Sequence, residues 1–258
     1  MTANRRDLFR RDLVKLTAAG VASTALLAGT SQVRAKGPIG AVMFDGFAII
    51  DARPVAARVA EMFPDTAKPL MAAWRTRQFD YAWLRSMASQ YVDFWRVTED
   101  ALAAAAESLG IELTTQQRDD LMQTHLALQA WPDAAPTLRA LKAAGMKLAF
   151  LSNFTATMLD AAVKNSGLED VFEPHLTTDL VRAYKPDPRA YAMTLDAFSL
   201  TRDEVAFVAF AGWDVAGTKW FGYPVYWVNR SGAPAEHLGA AADRSASDLS
   251  ALAAFVGV

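Results

Sequence analysis

AVMFD, residues 41–45, is the stretch that decides the fold: four apolar residues in succession, closed by the acid Asp45. A short, uninterrupted apolar run predicts a strand that is buried on both faces, as in a parallel sheet. Three further runs of this type follow at Lys147–Leu151, Val205–Phe210 and Val225–Val228. In an open parallel sheet, functional groups collect at the carboxyl ends of the strands, which makes Asp45 the first candidate functional residue.

Helical patterns alternate with these runs, and this alternation predicts βαβ units. We expect helices at about Pro132–Ala144, Thr155–Asn165, Asp187–Phe198 and Val215–Phe221. The predicted fold class is therefore α/β, with a Rossmann-like parallel sheet core and helices on both of its faces.

One long segment, residues 53–130, interrupts the alternation. It contains no convincing strand pattern, and apolar residues such as Leu84, Met87 and Tyr91 recur there at helical spacing. A helical insertion after the first strand predicts a cap subdomain. The expected organisation is a core made of residues 36–52 together with 131–258, and a helical cap at 53–130.

The first 35 residues have the pattern of a targeting segment. Two arginine pairs, Arg5-Arg6 and Arg10-Arg11, precede an apolar stretch from Leu13 to Leu27, and Val33-Arg34-Ala35 offers small residues for a signal peptidase. The pattern resembles a twin-arginine export signal, cleaved near Ala35, and predicts a periplasmic protein with no stable membrane anchor after cleavage. The alternatives are an uncleaved anchor, for which the apolar run is short, and a disordered basic tail.

Composition excludes several classes of chemistry. The chain has no cysteine, which excludes disulfides and thiolate catalysis, and its three histidines are far apart in sequence. We therefore expect no metal site. The net charge of −2 gives no electrostatic basis for binding nucleic acid or an anionic membrane surface.

Polar residues of four kinds follow the predicted strands. Asp45 follows the first run, Ser152-Asn153 follows the second, and Asp214 comes shortly after Val205–Phe210, while Lys185 stands in a Lys-Pro sequence between them. Because the carboxyl ends of parallel strands meet at one sheet edge, we expect two carboxylates, a hydroxyl and an ammonium group to converge there.

This order of residues resembles the four motifs of the haloacid dehalogenase superfamily. The resemblance to its 2-haloacid dehalogenase, or type II, branch extends over nearly the whole chain after the leader. It rests on the following stretches: Leu151-Ser152-Asn153, Tyr184-Lys185-Pro186 with Tyr191, and the cap segments Trp74–Phe79 and Tyr81–Arg85.

The resemblance implies hydrolytic dehalogenation of short 2-haloacids to 2-hydroxyacids through an ester on Asp45, with no cofactor. Lys185 would hold Asp45 ionised, and Ser152 would hydrogen-bond nearby. Asp214 would position Lys185 and assist the hydrolytic water, while the Tyr191 hydroxyl would orient the charged groups.

Two further residues, Arg75 and Asn153, would by the same resemblance stabilise the departing halide. The substrate-binding candidates are Phe47, Thr76, Phe79, Phe94 and Trp213. Each role has a structural alternative: a surface salt bridge for Arg75, core packing for the aromatic residues, and helix capping for Ser152. Relatives commonly pair, so a homodimer is a candidate assembly.

The sequence also departs from the pattern of the family. Phe47 stands two residues after Asp45, where phosphatases of the superfamily carry a second aspartate, and this disfavours the alternative of a magnesium-dependent phosphatase. No threonine follows in the Ile49 region, and Ala209 and Ala211 replace the usual serine and asparagine. These losses leave open a third alternative, an exported binding protein that has lost turnover.

Overall fold

The computed structural model describes residues 38–258, whose centre is a six-stranded sheet in which every neighbouring pair of strands is parallel. In chain order the strands are β1 Ala41–Phe44, β2 Ile50–Asp51, β3 Gln129–Ala130, β4 Lys147–Ser152, β5 Leu176–Thr177, β6 Val205–Ala209, β7 Val225–Val228 and β8 Arg244–Ala246. The sheet order is β5-β4-β1-β6-β7-β8, and β2 and β3 form a separate antiparallel pair. The AVMF run is thus a central strand.

The helices connect these strands and cover the sheet. They are α1 Gly46–Ile49, α2 Arg53–Met62, α3 Ala67–Met87, α4 Phe94–Ser108, α5 Thr115–Thr124, α6 Ala134–Ala143, α7 Ala156–Asn165, α8 Pro188–Phe198, α9 Gly212–Phe221 and α10 Leu252–Val256, with single 3₁₀ turns at Thr178–Leu180 and Arg202–Glu204. Several begin at a side-chain cap: Asp93 accepts from the amide of Arg96, and Thr155 accepts from that of Met158.

Side chains of β1 alternate between two apolar layers, as the pleat requires. Val42 and Phe44 belong to a buried cluster that includes residues of α6, α7 and α10, whereas Ala41 and Met43 belong to a second cluster with residues of α8 and α9. Helices therefore cover both faces of the sheet, which confirms the predicted α/β, Rossmann-like fold.

The four predicted strands are present, with ends that shift by one residue at Ser152 and Ala209. The remaining strands were not predicted, because two or three residues are too few to carry a period-2 pattern. Helix α9 begins at Gly212, three residues before the predicted start, so Asp214 lies in its first turn and not in a loop.

The segment between β2 and β3 consists of α2, α3, α4 and α5, and α3 packs extensively against α4. None of the helices in the described part of the chain combines the length and hydropathy that a membrane span requires. The predicted signal segment, residues 1–35, lies outside the described residues.

Candidate active site

The site forms at the carboxyl edge of the sheet, at the end of β1, which has β4 on one side and β6 on the other. Asp45 follows β1, and its amide donates to the carbonyl of Val208 on β6 at 3.0 Å. Ser152 ends β4, and Asp214 lies at the start of α9 behind β6. This is the switch point of an open parallel sheet, where such folds place their ligands.

Lys185 joins the two carboxylates. Its Nζ donates to Oδ1 of Asp45 at 2.8 Å and to Oδ2 of Asp214 at 2.6 Å. The lysine side chain is 0% exposed, and those of Asp45 and Asp214 are 12% and 1% exposed. The three predicted charged residues therefore form one buried chain of carboxylate, ammonium and carboxylate.

Burial and charge act in opposite directions on this chain. Burial alone would lower the pKa of Lys185, but the neighbouring carboxylates of Asp214 and Asp45 outweigh it and raise that pKa above its ordinary value. Burial raises the pKa of Asp214, and the negative charge of Asp45 adds to this, against the lowering effect of Lys185. Lys185 therefore stays charged, and Asp214 is protonated more readily than an ordinary carboxyl group.

Both oxygens of Asp45 have donors. Oδ2 accepts from the amide of Phe47 at 2.9 Å while Oδ1 accepts from Lys185, so the carboxylate is fixed in orientation. Gly46 permits this close packing, because a Cβ atom at that position would lie 2.8 Å from Oγ of Ser152. The backbone turn after β1 consequently depends on glycine.

The Ser152 hydroxyl makes a local hydrogen bond. Its Oγ accepts from the amide of Phe154 at 3.1 Å, a local turn, and it has no hydrogen bond to Asp45 in the described structure. The hydroxyl nevertheless lines the same small cavity as Asp45.

Asn153 and Tyr191 hold the charged chain in place. Oδ1 of Asn153 accepts from the backbone amide of Lys185 at 3.1 Å, and the Tyr191 hydroxyl donates to Oδ1 of Asp214 at 2.7 Å. Burial, followed by the charge of Asp214, raises the pKa of Tyr191 well above its ordinary value. The indole of Trp83, from α3, donates to the carbonyl of Lys185 at 3.1 Å.

A cavity of about 10 Å³ adjoins Asp45. That volume is room for about one water molecule. Its lining residues are Asp45, Phe47, Phe79, Phe94, Ser152, Asn153, Phe154, Phe210, Ala211, Trp213 and Asp214. Four of the predicted substrate-binding residues lie here. Ala211 contributes only a methyl group, and the hydroxyl, carboxamide and carboxyl groups of this wall belong to Asp45, Ser152, Asn153 and Asp214.

Aromatic rings enclose this small cavity. Phe47 packs edge-on against Phe154 at 4.7 Å between ring centroids, and Phe79 packs against Trp213 at 5.4 Å. Phe94 stacks on Phe154 at 5.6 Å. The nucleophile candidate therefore faces a nearly dry aromatic enclosure, in which charge interactions are stronger than in water.

Arg75 lines a second, larger cavity of about 350 Å³, which shares Phe47, Phe79 and Phe210 with the small one. Its guanidinium lies 5.9 Å from the centre of the Phe210 ring. Thr76 lies on the exposed side of α3 and lines neither of these two cavities, unlike the other substrate-binding candidates.

The sequence interpretation missed three residues of the site. Phe154 and Phe210 line the small cavity, and both stand next to motif residues, Asn153 and Ala211. Their position at the strand ends was the available signal. The hydrogen bond from Trp83 to Lys185 was not predictable, because it spans 102 positions between two elements. Across residues 38–258, histidine and acidic side chains form no group of three or more able to hold a metal ion.

Comparison with known proteins agrees with this geometry. Residues 13–222 match the family model of haloacid dehalogenase-like hydrolases. The (S)-2-haloacid dehalogenase of Pseudomonas sp. strain YL is 38% identical over 204 residues, which cover 79% of this chain and 88% of that protein. The crystal structure of an L-2-haloacid dehalogenase superimposes with a TM-score of 0.83 at 38% identity, covering 86% of this chain and 100% of that one. The L-2-haloacid dehalogenase of Xanthobacter autotrophicus with chloropropionic acid covalently bound has a TM-score of 0.77 at 34% identity, with coverages of 84% and 98%. The chain belongs to the haloacid dehalogenase-like hydrolases, as its strand-end motifs predicted.

Proposed function

We propose that the protein hydrolyses the carbon–halogen bond of short 2-haloacids and releases 2-hydroxyacids, through a covalent ester on Asp45. The observation that supports this most directly is the oriented carboxylate of Asp45, bound by Lys185 at 2.8 Å and by the Phe47 amide at 2.9 Å. The names of the relatives, several of them (S)-2-haloacid dehalogenases, agree with this reaction.

In the first step, a carboxylate oxygen of Asp45 attacks C2 of the substrate, and the halide leaves with the bonding electron pair. A new carbon–oxygen bond replaces the carbon–halogen bond. The departing anion requires donors in a dry site, and we assign this role to Arg75 and Asn153. Within residues 38–258 Arg75 takes part in no salt bridge, and its guanidinium lies 5.9 Å from the centre of the Phe210 ring, which leaves its charge available.

In the second step, water attacks the carbonyl carbon of the Asp45 ester, the ester bond breaks, and the 2-hydroxyacid leaves. One water proton passes to Asp214, whose raised pKa makes it a better proton acceptor than an ordinary carboxylate, and from Asp214 to the departing oxygen of the 2-hydroxyacid. The other water proton is released as the carboxylate of Asp45 re-forms. Lys185 stabilises the oxyanion that develops on Asp45, because its Nζ already lies within hydrogen-bond distance.

The second step is the weaker half of the cycle. Ala209 and Ala211 stand where the family pattern has a serine and an asparagine, and Ala211 contributes no donor group to the cavity wall. Loss of one such donor costs about 10²-fold in rate. We therefore expect ester hydrolysis to limit turnover.

The substrate wall is aromatic. Phe47, Phe79, Phe94 and Trp213 line the cavity beside Asp45, and we assign them to substrate contact. Thr76 is the weakest of the predicted substrate residues, since its side chain is on the exposed surface.

Halide release from (S)-2-chloropropionate tests the function. We expect chloride and lactate in equal amounts, unaffected by EDTA, together with a transient adduct on Asp45 detected by mass spectrometry. Asp45→Asn is the control and should form no adduct. Absence of both chloride release and adduct would exclude the proposal, and EDTA-sensitive release of phosphate from a phosphate ester would favour the phosphatase alternative.

Export and assembly complete the proposal. We infer from the arginine pairs and Ala35 that the protein reaches the periplasm and is cleaved near Ala35, which fractionation and amino-terminal sequencing of a wild-type and an Arg10/Arg11→Lys protein would test. We also propose a homodimer, supported by the exposed apolar side chains of Leu84 and Met87 on α3, 59% and 83% exposed. A monomeric mass by light scattering would refute it.

A further inference from the structure

The larger cavity lies next to the small one, and of its lining residues only Phe47, Arg75 and Phe79 have a role in the steps described above. Its volume of about 350 Å³ falls within the range of small-molecule pockets, which is about 300–1,000 Å³. Its wall is mainly apolar and comes from α2, α3, Trp131 and Phe210, with Arg75 at one side. A three-carbon acid would fill only part of this space.

The small cavity cannot hold a substrate as it stands. About 10 Å³ accommodates roughly one water molecule, whereas even the smallest 2-haloacid is several times larger. Rings therefore have to move when a substrate binds. Three rings, those of Phe47, Phe79 and Phe210, line both cavities, and free volume lies on their far side.

The character of that free volume indicates what it holds. Trp74 and Met71 line it from α3, and Val55 and Ala56 line it from α2. The guanidinium carbons of Arg53 and Arg230 lie 4.5 and 4.4 Å from the ring centre of Trp131. These two charged groups therefore stack on the indole ring. Arg53 and Arg230 are paired with Asp51 and Asp133.

We propose that this cavity, the substituent pocket, binds a large apolar group on C2 of the substrate, so that the enzyme accepts 2-haloacids with an arylmethyl or comparable substituent. The inference rests on the proposed function of Asp45. Rotation of the shared rings, Phe79 above all, would join the two cavities while C2 stays beside Asp45. The aromatic wall suits a phenyl ring, which packs edge-on or offset against other rings.

Two substrates and one pair of variants test the proposal. The substrates are (S)-2-bromo-3-phenylpropionate and (S)-2-bromopropionate, compared by kcat/KM for bromide release. Ala56 and Ala57 are both exposed on α2, but only Ala56 lines the pocket. Ala56→Trp fills part of the pocket, and Ala57→Trp is the matched control on the same helix.

We expect the wild type to turn over the phenyl substrate at least as efficiently as 2-bromopropionate. Ala56→Trp should lower kcat/KM for the phenyl substrate relative to that for 2-bromopropionate about tenfold, the lower end of what a misfit of one methylene in a hydrophobic pocket produces. Ala57→Trp should leave the ratio unchanged. A wild type that uses 2-bromopropionate but is more than about a hundredfold poorer with the phenyl substrate overturns the pocket assignment, as does an unchanged ratio in Ala56→Trp.

Binding separates failure of the pocket from failure of the reaction. If neither substrate releases bromide, the proposed function fails, and titration calorimetry with unreactive 3-phenylpropionate then decides the pocket on its own. Binding to the wild type and to Ala57→Trp, weakened at least about tenfold in Ala56→Trp, supports it. No binding, or equal binding to all three proteins, overturns it.

Discussion

Lys185→Met removes the cation that joins two buried carboxylates and changes little else. Lysine and methionine side chains are both unbranched and of similar length, so the substitution leaves only a small void. The variant keeps two carboxylates whose side chains are only 1% (Asp214) and 12% (Asp45) exposed, but it lacks the Nζ that joined them. Tyr191 still donates to Asp214, and the Phe47 amide still donates to Asp45.

The expected loss follows from the two contacts at 2.8 and 2.6 Å. Removing one partner of a buried ion pair costs about 3–5 kcal/mol, because the remaining charge is buried and uncompensated. Since two carboxylates depend on this lysine, we expect the upper half of that range at neutral pH. Activity should fall by about 10³-fold, because Asp45 loses both its orientation and the stabilisation of its developing oxyanion.

The loss should depend on pH in a definite direction. In the wild type, the pKa of Lys185 is raised above its ordinary value of 10.5. Its contribution to the free energy of unfolding is therefore fully present below pH 10.5 and is lost only as the pH rises past the folded-state pKa. In the variant, Asp214 has lost the charge that lowered its pKa, and burial and Asp45 still raise it. A carboxyl with a raised folded-state pKa favours the folded state at low pH, so the deficit should be smaller at about pH 5 than at about pH 8.

Urea unfolding at these two pH values measures the effect. Lys68→Met, at an exposed position of α3, is the control and should change the free energy of unfolding by less than about 0.5 kcal/mol. A loss below about 1 kcal/mol in Lys185→Met at neutral pH, or an equal loss at both values, would refute the reasoning.

Three further predictions concern Tyr191, His125 and Ala211. Tyr191→Phe removes the 2.7 Å donor to Asp214 and should cost about 1.5–3 kcal/mol in urea unfolding; a change under about 0.5 kcal/mol would contradict this role. Burial lowers the pKa of His125 from 6.5 to about 4. The contribution of the neutral imidazole to the free energy of unfolding is therefore complete above pH 6.5 and is lost as the pH falls toward 4. The wild type should therefore lose about 3 kcal/mol relative to His125→Phe over that interval, and parallel stability curves would contradict it. Ala211→Asn restores a donor beside the small cavity and should speed decay of the Asp45 adduct by on the order of tenfold or more. Quenched-flow mass spectrometry measures this decay, and an unchanged rate would disprove the prediction.

The sequence was sufficient for the elements whose signal is local. Val42 and Phe44 belong to a run too apolar for an exposed strand, and this placed β1 in the centre and Asp45 at its end. The prediction that Asp45, Lys185 and Asp214 lie together followed from parallel strands that end at one edge of the sheet, and the hydrogen bonds of Lys185 confirm that they do.

What the sequence did not reveal depends on packing between distant segments. The hydroxyl of Ser152 bonds to Phe154 because the turn after β4 offers that amide at 3.1 Å, a choice invisible in the motif itself. The division of the space into a small and a large cavity depends on where the rings of Phe47, Phe79 and Phe210 lie, and these come from three separate elements. No periodicity encodes such a partition.

The charges of the site explain why Arg75 belongs to the same machinery although it lines the other cavity. With all three groups ionised, Asp45 and Asp214 contribute two negative charges and Lys185 one positive charge, which leaves one net negative charge in a nearly dry enclosure. A 2-haloacid is itself an anion, and its reaction releases a second anion, the halide. Like charges at close range and low dielectric repel strongly, so an additional cation has to face the substrate. Arg75 meets that requirement within residues 38–258, since it has no carboxylate partner there and borders the three rings beyond which Asp45 lies.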